Sequence, residues 1–311
     1  DFGIFEIGMD KKGEIDYLSK IIKPDVGVIT NISYAHIKNF KNINQIALAK
    51  AEIIHNIKKD GYLILNNDDK FYNFHKMIGL RKNLKVLSFS LYKKSATINL
   101  DSIIKEESSY KLSININKIK KYFYLNSFFE NDIKNLLAAI TVISIFKDIN
   151  KLDKNIFYNY KAPKGRGDKI KIKLFNKNFY LIDESYNSNP LSLGSALRNF
   201  DMIKVDNSKK HLILGDMLEL GRYAKKLHKE IGNDINKTSL RNVNIIGRNM
   251  RWTYNNINKD KRGIILTNKS QIFNLIKNKL NNNDYLMIKG SNSTGLNVLV
   301  NQIKVGKIDA L

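Results

Sequence analysis

Short apolar, β-branched runs alternate with segments of helical periodicity along most of the chain. Residues 26–30 and 62–65 are strand-like, and residues 42–57 between them carry apolar side chains at helical spacing. Strands that alternate with helices usually form a parallel sheet covered by helices on both faces. The pattern therefore predicts an α/β fold.

The same alternation predicts the remaining elements. Residues 4–7 predict a short buried strand that ends at Gly8, and residues 14–23 predict a helix closed by Pro24. Residues 96–125 alternate polar and apolar side chains, which predicts antiparallel strands with one solvated face. The strand and helix pattern then restarts after a Gly- and Pro-containing connector at residues 162–167. With 311 residues we expect two domains, 1–166 and 167–311.

Composition limits the cellular setting and the partners. The net charge of +24 suggests a nucleic-acid or acidic-membrane partner, but the basic residues are dispersed and Lys, Asn and Ile are abundant throughout. A compositional origin is therefore favoured, and no nucleic acid is expected. The absence of Cys excludes disulfides and thiolate metal sites. No apolar run is long enough to span a membrane, and the first residues lack a basic signal region, so we expect a cytoplasmic protein.

Three residues of the first half are candidates for chemistry, each with a structural alternative. Glu6 at a predicted strand end could bind a hard cation such as Mg²⁺, or lie exposed at an edge. His36 follows a strand in a polar loop, where a histidine is more often structural. Lys50 lies on the apolar side of a helix, where it either extends to water or is desolvated with a lowered pKa.

Two polar strings follow strands in the second half. Residues 183–190 open a helix at Pro190, with Ser188 or Asn189 as an N-cap. Residues 215–221 begin with a glycine suited to a tight turn, and their carboxylates could orient a ligand. Open α/β sheets bind ligands at the carboxyl ends of their strands. The chain contains no Gly-Lys-Ser or Gly-Lys-Thr, and so no Walker A loop.

Together these strings resemble the Mur ligase family, the ATP-dependent amide-forming enzymes of peptidoglycan precursor synthesis. The resemblance covers almost the whole chain. It rests on Glu6-Ile7-Gly8, Gly13-Glu14-Ile15, residues 31–36 and 49–53, Asn66-Asn67-Asp68-Asp69, Asn135 with Ala138-Ala139, Gly165-Arg166-Gly167, residues 183–190 and 215–221, and Lys289-Gly290-Ser291. It implies a P-loop-type central domain, truncated at its N-terminus, followed by a Rossmann-like C-terminal domain.

The resemblance also implies roles for these residues. Glu6 and His36 match the sites of two Mg²⁺ ions, and Lys50 matches a lysine that CO₂ carbamylates into an additional anionic ligand. Arg166 matches a residue that contacts phosphate and contributes to catalysis. The remaining matches lie on the ATP side, with Asp183 accepting from ribose hydroxyls; they are Asn135, Asp183, Tyr186 and Asn187.

The string at residues 215–221 is the most specific part of the resemblance. It implies the activity that joins D-alanyl-D-alanine to a UDP-N-acetylmuramoyl-tripeptide through an acyl phosphate, with ATP and Mg²⁺, in a monomeric enzyme that serves cell-wall growth, cell shape and division. The alternatives are another amide ligase of the superfamily, either a different muramyl ligase or a folylpolyglutamate synthase-like enzyme, and a basic nucleic-acid-binding module.

Two departures from the family pattern change these expectations. Residues 129–132 read Phe-Glu-Asn-Asp where the family has Gly-x-His-Asn before the same helix. The family also carries a sugar-nucleotide domain and a Gly-rich P-loop ahead of the segment that contains Glu6. We therefore expect this chain to be a piece of a longer enzyme and to be inactive as a ligase by itself.

Overall fold

The computed structural model describes residues 1–107, 109–126, 129–160 and 163–306. The backbone divides into two compact units, residues 1–160 and 161–311. Each unit has a six-stranded sheet. The domain boundary expected at residue 166 stays a prediction, because compactness alone does not show where a separately folding domain ends. Ala162 of the predicted connector and Ser108 of the alternating segment lie outside the described residues.

The first unit is a mixed sheet with helices. In chain order it contains α1 (Glu14–Ile22), β1 (Val26–Ile29), α2 (Ile43–Asn56), β2 (Tyr62–Asn66), α3 (Tyr72–Arg81), β3 (Lys85–Ser90), β4 (Ile98–Lys105), β5 (Tyr110–Ile116), β6 (Ile119–Leu125) and α4 (Glu130–Phe146). The strand order is β1-β2-β3-β4-β5-β6. The pairs β1–β2, β2–β3 and β3–β4 are parallel, and the pairs β4–β5 and β5–β6 are antiparallel.

The antiparallel strands extend the parallel sheet. β3 and β4 are joined through the pairs Phe89↔Ile98 and Ser90↔Asn99. As the alternation predicted, Leu112 and Ile114 are buried, and they pack in one core with apolar residues of α4. The polar positions are also organised, because Asp101 accepts a hydrogen bond from Ser113 (3.2 Å) and pairs with two lysines, Lys94 and Lys120.

Residues 4–7 do not form the predicted strand. They lie in coil, with Ile4 94% and Phe5 66% exposed, and Glu6 is exposed as well. A β-strand requires backbone partners, and in the described residues β1 pairs only with β2. The apolar run alone was therefore not sufficient to specify a strand.

The second unit is a nearly parallel sheet. It contains β7 (Asp168–Leu174), β8 (Lys177–Glu184), α5 (Pro190–Asp201), β9 (Lys210–Gly215), α6 (Ala224–Asn236), β10 (Val243–Ile246), α7 (Met250–Asn256), β11 (Arg262–Leu266), α8 (Ser270–Lys279), β12 (Tyr285–Lys289) and α9 (Leu296–Val305). The strand order is β11-β10-β9-β12-β8-β7, and β7 is the antiparallel member. The last strand, β12, therefore lies between β8 and β9, and all three end at one edge of the sheet.

Two glycines in helices of this unit differ in the space around them. At Gly232 of α6, an added Cβ would lie 3.0 Å from the carbonyl oxygen of Thr253 and 2.8 Å from Cβ of Asn256. At Gly194 of α5, the nearest atom would be 3.5 Å away.

We expect Gly232→Ala to lower the free energy of unfolding by about 1–3 kcal/mol through overpacking. Gly194→Ala is the matched control and should raise it by about 0.5–1 kcal/mol, because alanine is the better helix former. Urea denaturation of both variants measures the difference, and equal effects would contradict this account of the α6–α7 packing.

Candidate functional site

In the first unit, the loops that follow β1 and β2 are held together at the carboxyl edge of the sheet. The carboxylate of Asp69 accepts hydrogen bonds from the backbone N–H groups of Ile32 (2.7 Å) and Phe71 (2.8 Å). A single side chain after β2 thus fixes the loop after β1, which contains His36. This edge is where open α/β sheets bind ligands.

Lys50 extends from α2 into this edge. Its Nζ donates a hydrogen bond to the backbone oxygen of Asn31 (3.1 Å), and the side chain is half-buried. Burial lowers the pKa of Lys50, and the negative charge of Asp69 only partly opposes that change. The side chain therefore does not simply extend to water. At a given pH, the fraction of molecules with a neutral, nucleophilic amine is larger at Lys50 than at an exposed lysine.

His75 supports the helix that carries Lys50, and sequence reasoning missed it. It is buried on α3, with Nε2 2.9 Å from the backbone oxygen of Ala47, about one turn before Lys50. Burial lowers the pKa of His75, so the ring is held neutral. No sequence signal marked it, because the segment around α3 has little amphipathic periodicity.

His36 lies beside Asp10, which precedes α1. Its Nδ1 is 2.9 Å from a carboxylate oxygen of Asp10, and its backbone has a left-handed φ of 57°. The side chain of Asn39 donates to the backbone oxygen of Asp10 (2.9 Å), which fixes the same segment. Glu6 is not part of this arrangement of hydrogen bonds and lies in the exposed coil.

In the second unit, two acidic residues end β8, and each pairs with a lysine on its own face of the sheet. Asp183 is 3% exposed and accepts from Nζ of Lys304 on α9 (2.6 Å). Glu184 is paired with Lys289 of β12 (3.2 Å), its neighbour in the strand register. Asp183 also accepts from the backbone N–H (3.0 Å) and the hydroxyl (2.6 Å) of Ser185. The carboxylate is therefore largely enclosed by the protein's own donors.

The structure brings together the three strings that the sequence placed after strands. The hydroxyl of Ser291 donates to the backbone oxygen of Ser188 (3.1 Å) and accepts from the backbone N–H of Leu218 (2.8 Å). Its own N–H donates to the backbone oxygen of Asp216 (3.0 Å). The loop after β12 thus links the loops after β8 and β9.

Arg166 and Tyr186 form an exposed pair at the same end of β8. The guanidinium of Arg166 lies 4.6 Å from the centroid of the Tyr186 ring, within the range of a cation–π contact. Gly165 is required beneath this pair, because its φ is +76° and a Cβ would lie 2.9 Å from Cβ of Tyr186. Asn187 is exposed beside the pair, and Asn135 is exposed on α4 in the first unit.

Asp216 is a helix cap and not the free ligand group that the sequence suggested. Its carboxylate accepts from the backbone N–H groups of Asn249 (3.2 Å) and Met250 (2.8 Å), at the start of α7. These amides have no partner inside the helix, and a carboxylate satisfies them well.

His228 fixes the loop that follows β9, and it too was missed from the sequence. The ring is fully buried, with Nε2 accepting from the backbone N–H of Met217 (3.2 Å). The other ring nitrogen, Nδ1, therefore carries the proton and donates to the backbone oxygen of Ala224 (2.8 Å). Burial lowers the pKa of His228, so the neutral ring is the folded form.

Two family models match the chain over most of its length. The Mur ligase middle domain matches residues 1–143, and the Mur ligase, glutamate ligase domain matches residues 166–292. The chain belongs to the Mur ligase family. No helix in the described ranges is long and apolar enough to cross a membrane.

Individual Mur ligases are similar over nearly the whole chain. Two similar proteins are named UDP-N-acetylmuramoyl-tripeptide–D-alanyl-D-alanine ligase. The one from Rickettsia prowazekii is 29% identical over 96% of this chain, and the one from Buchnera aphidicola of Baizongia pistaciae is 30% identical over 97%. The chain spans 66% and 64% of those two proteins, slightly less than two thirds of their length.

Solved Mur ligases have the same fold. MurF from Acinetobacter baumannii has a TM-score of 0.82 and 23% identity, over 96% of this chain and 63% of its own. MurF from Thermotoga maritima, in complex with ADP, also has a TM-score of 0.82, with 20% identity, over 97% of this chain and 66% of its own.

The buried neutral His228 makes stability sensitive to acid. Its pKa in the folded protein lies below the ordinary 6.5, so the unfolded chain binds a proton more readily. Stability contributed by the neutral ring is complete above about pH 6.5 and is lost as the pH falls towards the folded pKa. His75 and His211 are also buried with lowered pKa values and act in the same direction.

We expect His228→Gln to lower the free energy of unfolding at pH 8 by about 1–3 kcal/mol, because the Met217 amide loses its acceptor. The decrease in stability between pH 8 and pH 5.5 should also become smaller. The exposed His55 is the control, and His55→Gln should change neither quantity. Urea titrations at the two pH values measure both, and an unchanged pH dependence in His228→Gln would contradict the assignment.

Proposed function

We propose that this chain provides the central and C-terminal parts of an ATP-dependent ligase that joins D-alanyl-D-alanine to UDP-N-acetylmuramoyl-tripeptide. The observation that carries this proposal is the meeting of the 183–190, 215–221 and 289–291 strings at one sheet edge. Relatives similar over nearly the whole chain are named for this reaction. Two further proteins with this name, from Buchnera aphidicola of Acyrthosiphon pisum and from Bacillus subtilis, are 31% and 26% identical over 97% of the chain.

The proposed reaction has two steps. The terminal carboxylate of the tripeptide attacks the γ-phosphorus of ATP, and ADP leaves as an acyl phosphate forms. The amine of D-alanyl-D-alanine then attacks the acyl carbon, loses a proton and expels inorganic phosphate. Both steps develop negative charge on phosphoryl oxygens, which cationic side chains and metal ions stabilise.

Lys50 and His36 of the first unit offer donors suited to Mg²⁺ and carbamylation, and Glu6 is a further candidate that lies in exposed coil. Carbamylation requires a neutral amine, and the burial that lowers the pKa of Lys50 favours that form. The product is an anion with two oxygen ligands, the type that Mg²⁺ prefers. His36, held beside Asp10, and Glu6 are the other proposed ligands. When bound, Mg²⁺ would neutralise charge on the phosphates during transfer.

The proposed nucleotide-contacting residues lie in the second unit, and a further candidate, Asn135, lies on α4 of the first unit. Arg166 and Tyr186 offer an exposed cation and an exposed ring face, and Asn187 and Asn135 offer exposed amides. Asp183 differs from these because Ser185 and Lys304 already occupy most of its lone pairs. A ribose hydroxyl would use the position that remains. We further propose that the enzyme acts in the cytoplasm as a monomer.

The assay uses the product of the complete reading frame that contains these 311 residues. We expect phosphate release that requires ATP, the UDP-tripeptide and D-alanyl-D-alanine together, with Mg²⁺ present. Single amino acids replacing the dipeptide are the control and should not support this phosphate release. Transfer of glutamate or another single amino acid would indicate a different amide ligase, and a complex with random DNA unaffected by ATP would favour the binding-module alternative.

Lys50→Ala tests the carbamate proposal in the same protein. We expect kcat to fall by at least about 100-fold, the scale of one charged group lost from a phosphoryl-transfer site. Added short carboxylic acids should restore part of the activity by replacing the anion, and ¹³CO₂ should give a carbamate NMR signal in the wild type only. Lys58→Ala is the control, since Lys58 is an exposed lysine paired with Asp25. Near-normal kcat in Lys50→Ala would overturn the assignment.

A further inference from the structure

Lys289 is buried at the carboxyl end of β12 and directs all its described hydrogen bonds to one neighbouring segment. It is 2% exposed, and its Nζ donates to the backbone oxygen of Asn187 (2.8 Å) and to the Glu184 carboxylate (3.2 Å). A longer contact reaches the backbone oxygen of Glu184 (3.5 Å). The ammonium group therefore holds both ends of residues 184–187.

The held segment is the one that presents exposed side chains at the site. Tyr186 is 47% exposed and Asn187 is exposed, whereas Ser185 and Ser188 on either side are buried. The buried serines are tied to the body of the unit through Asp183 and Ser291. Within the segment, the backbone N–H of Tyr186 donates to the backbone oxygen of Gly165 (3.2 Å), and Lys289 binds the backbone oxygen of Asn187.

A buried lysine–glutamate pair is an expensive way to join two strands. Burial lowers the pKa of Lys289 and raises that of Glu184, so desolvation opposes both charges. Apolar residues of the same size often stabilise a core as well as a buried ion pair does. The pair therefore contributes defined geometry rather than extra stability. An ammonium group can bind a carboxylate and a loop carbonyl at the same time, which an apolar side chain cannot do.

We propose that Lys289 is a positioning residue that fixes the backbone of residues 184–187, so that the side chains of Tyr186 and Asn187 meet the nucleotide in one orientation. The kinetic part of this proposal rests on the proposed ligase function. The structural part, an ordered segment, does not depend on it.

The chain contains a matched control in the same sheet. Lys210 begins β9, is also 2% exposed, and its Nζ also donates to a backbone oxygen, that of Asp201 (2.7 Å). It lies at the amino end of its strand, away from the site edge. Lys210→Met therefore removes an equally buried lysine without changing residues 184–187.

The experiment compares Lys289→Met, Lys210→Met and Glu184→Gln in the product of the complete reading frame. We expect Lys289→Met to raise the KM for ATP about tenfold, the scale of one lost hydrogen bond to a charged group, with little change in the KM for D-alanyl-D-alanine. Glu184→Gln keeps the Asn187 bond and should raise it less than threefold. Lys210→Met should lower the melting temperature with a wild-type KM.

A double variant, Lys289→Leu with Glu184→Leu, leaves no unpaired buried charge and addresses loss of folding in Lys289→Met. We expect it to keep the raised KM for ATP, and a return to the wild-type value would overturn the positioning role. Tyr186→Ala should add little to Lys289→Met if both act through the same segment.

Amide hydrogen exchange of the peptide that covers residues 184–188 separates this proposal from the ligase proposal. Exchange should be faster in Lys289→Met than in Lys210→Met, whatever reaction the enzyme catalyses. Unchanged exchange would overturn the positioning role even in an active ligase, and faster exchange in a protein without ligase activity would leave only the ligase proposal wrong.

Discussion

The position of β12 between β8 and β9 determines where the polar groups of the second unit lie. This strand is the last of those in the described residues. It pairs in parallel with β8 from Tyr285↔Tyr180 to Lys289↔Glu184 and with β9 on its other side. A shift of one residue would turn every side chain to the opposite face. Lys289 would then face away from Glu184, and the loop containing Ser291 could not join its two neighbours.

Both units use desolvation at the carboxyl edge of a parallel sheet, with different results. Lys50 is half-buried beside a loop carbonyl, and burial lowers the pKa of its amine, which favours the chemistry proposed for it. Lys289 is almost completely buried among three acceptors, and the same physical effect there accompanies a fixed backbone segment. The difference lies in access, since chemistry requires solvent or substrate to reach the amine and positioning does not.

The polar residues at the site edge divide into two groups by burial. In the second unit, Asp183, Asp216 and His228 are engaged by backbone amides or by lysine and hold loops in place. Arg166, Tyr186 and Asn187 of the same unit are exposed. This arrangement, in which buried polar groups support exposed ones, is what a ligand site needs for fixed geometry.

Much of the architecture was predictable from local pattern. Apolar periodicity predicted α1, α2 and the strands of the second unit, and alternation predicted the antiparallel strands, because side-chain period follows directly from backbone geometry. It failed at residues 4–7, an apolar run that pairs with no strand among the described residues, and it gave no signal for α3 and β3. Helix α7 was missed as well, since it is short and depends on Asp216 at its start.

For the site, the sequence by itself determined which residue types follow each strand, and parallel topology then placed residues 183–190, 215–221 and 289–291 at one edge. Only the tertiary structure decided which of those groups are free. It enclosed the carboxylates of Asp183 and Asp216 and exposed Tyr186, and it lowered the pKa of Lys50 and His228 by burial. Hydrogen bonds and desolvation depend on neighbours that are distant in the chain, such as Lys304 for Asp183, and no local pattern contains that information.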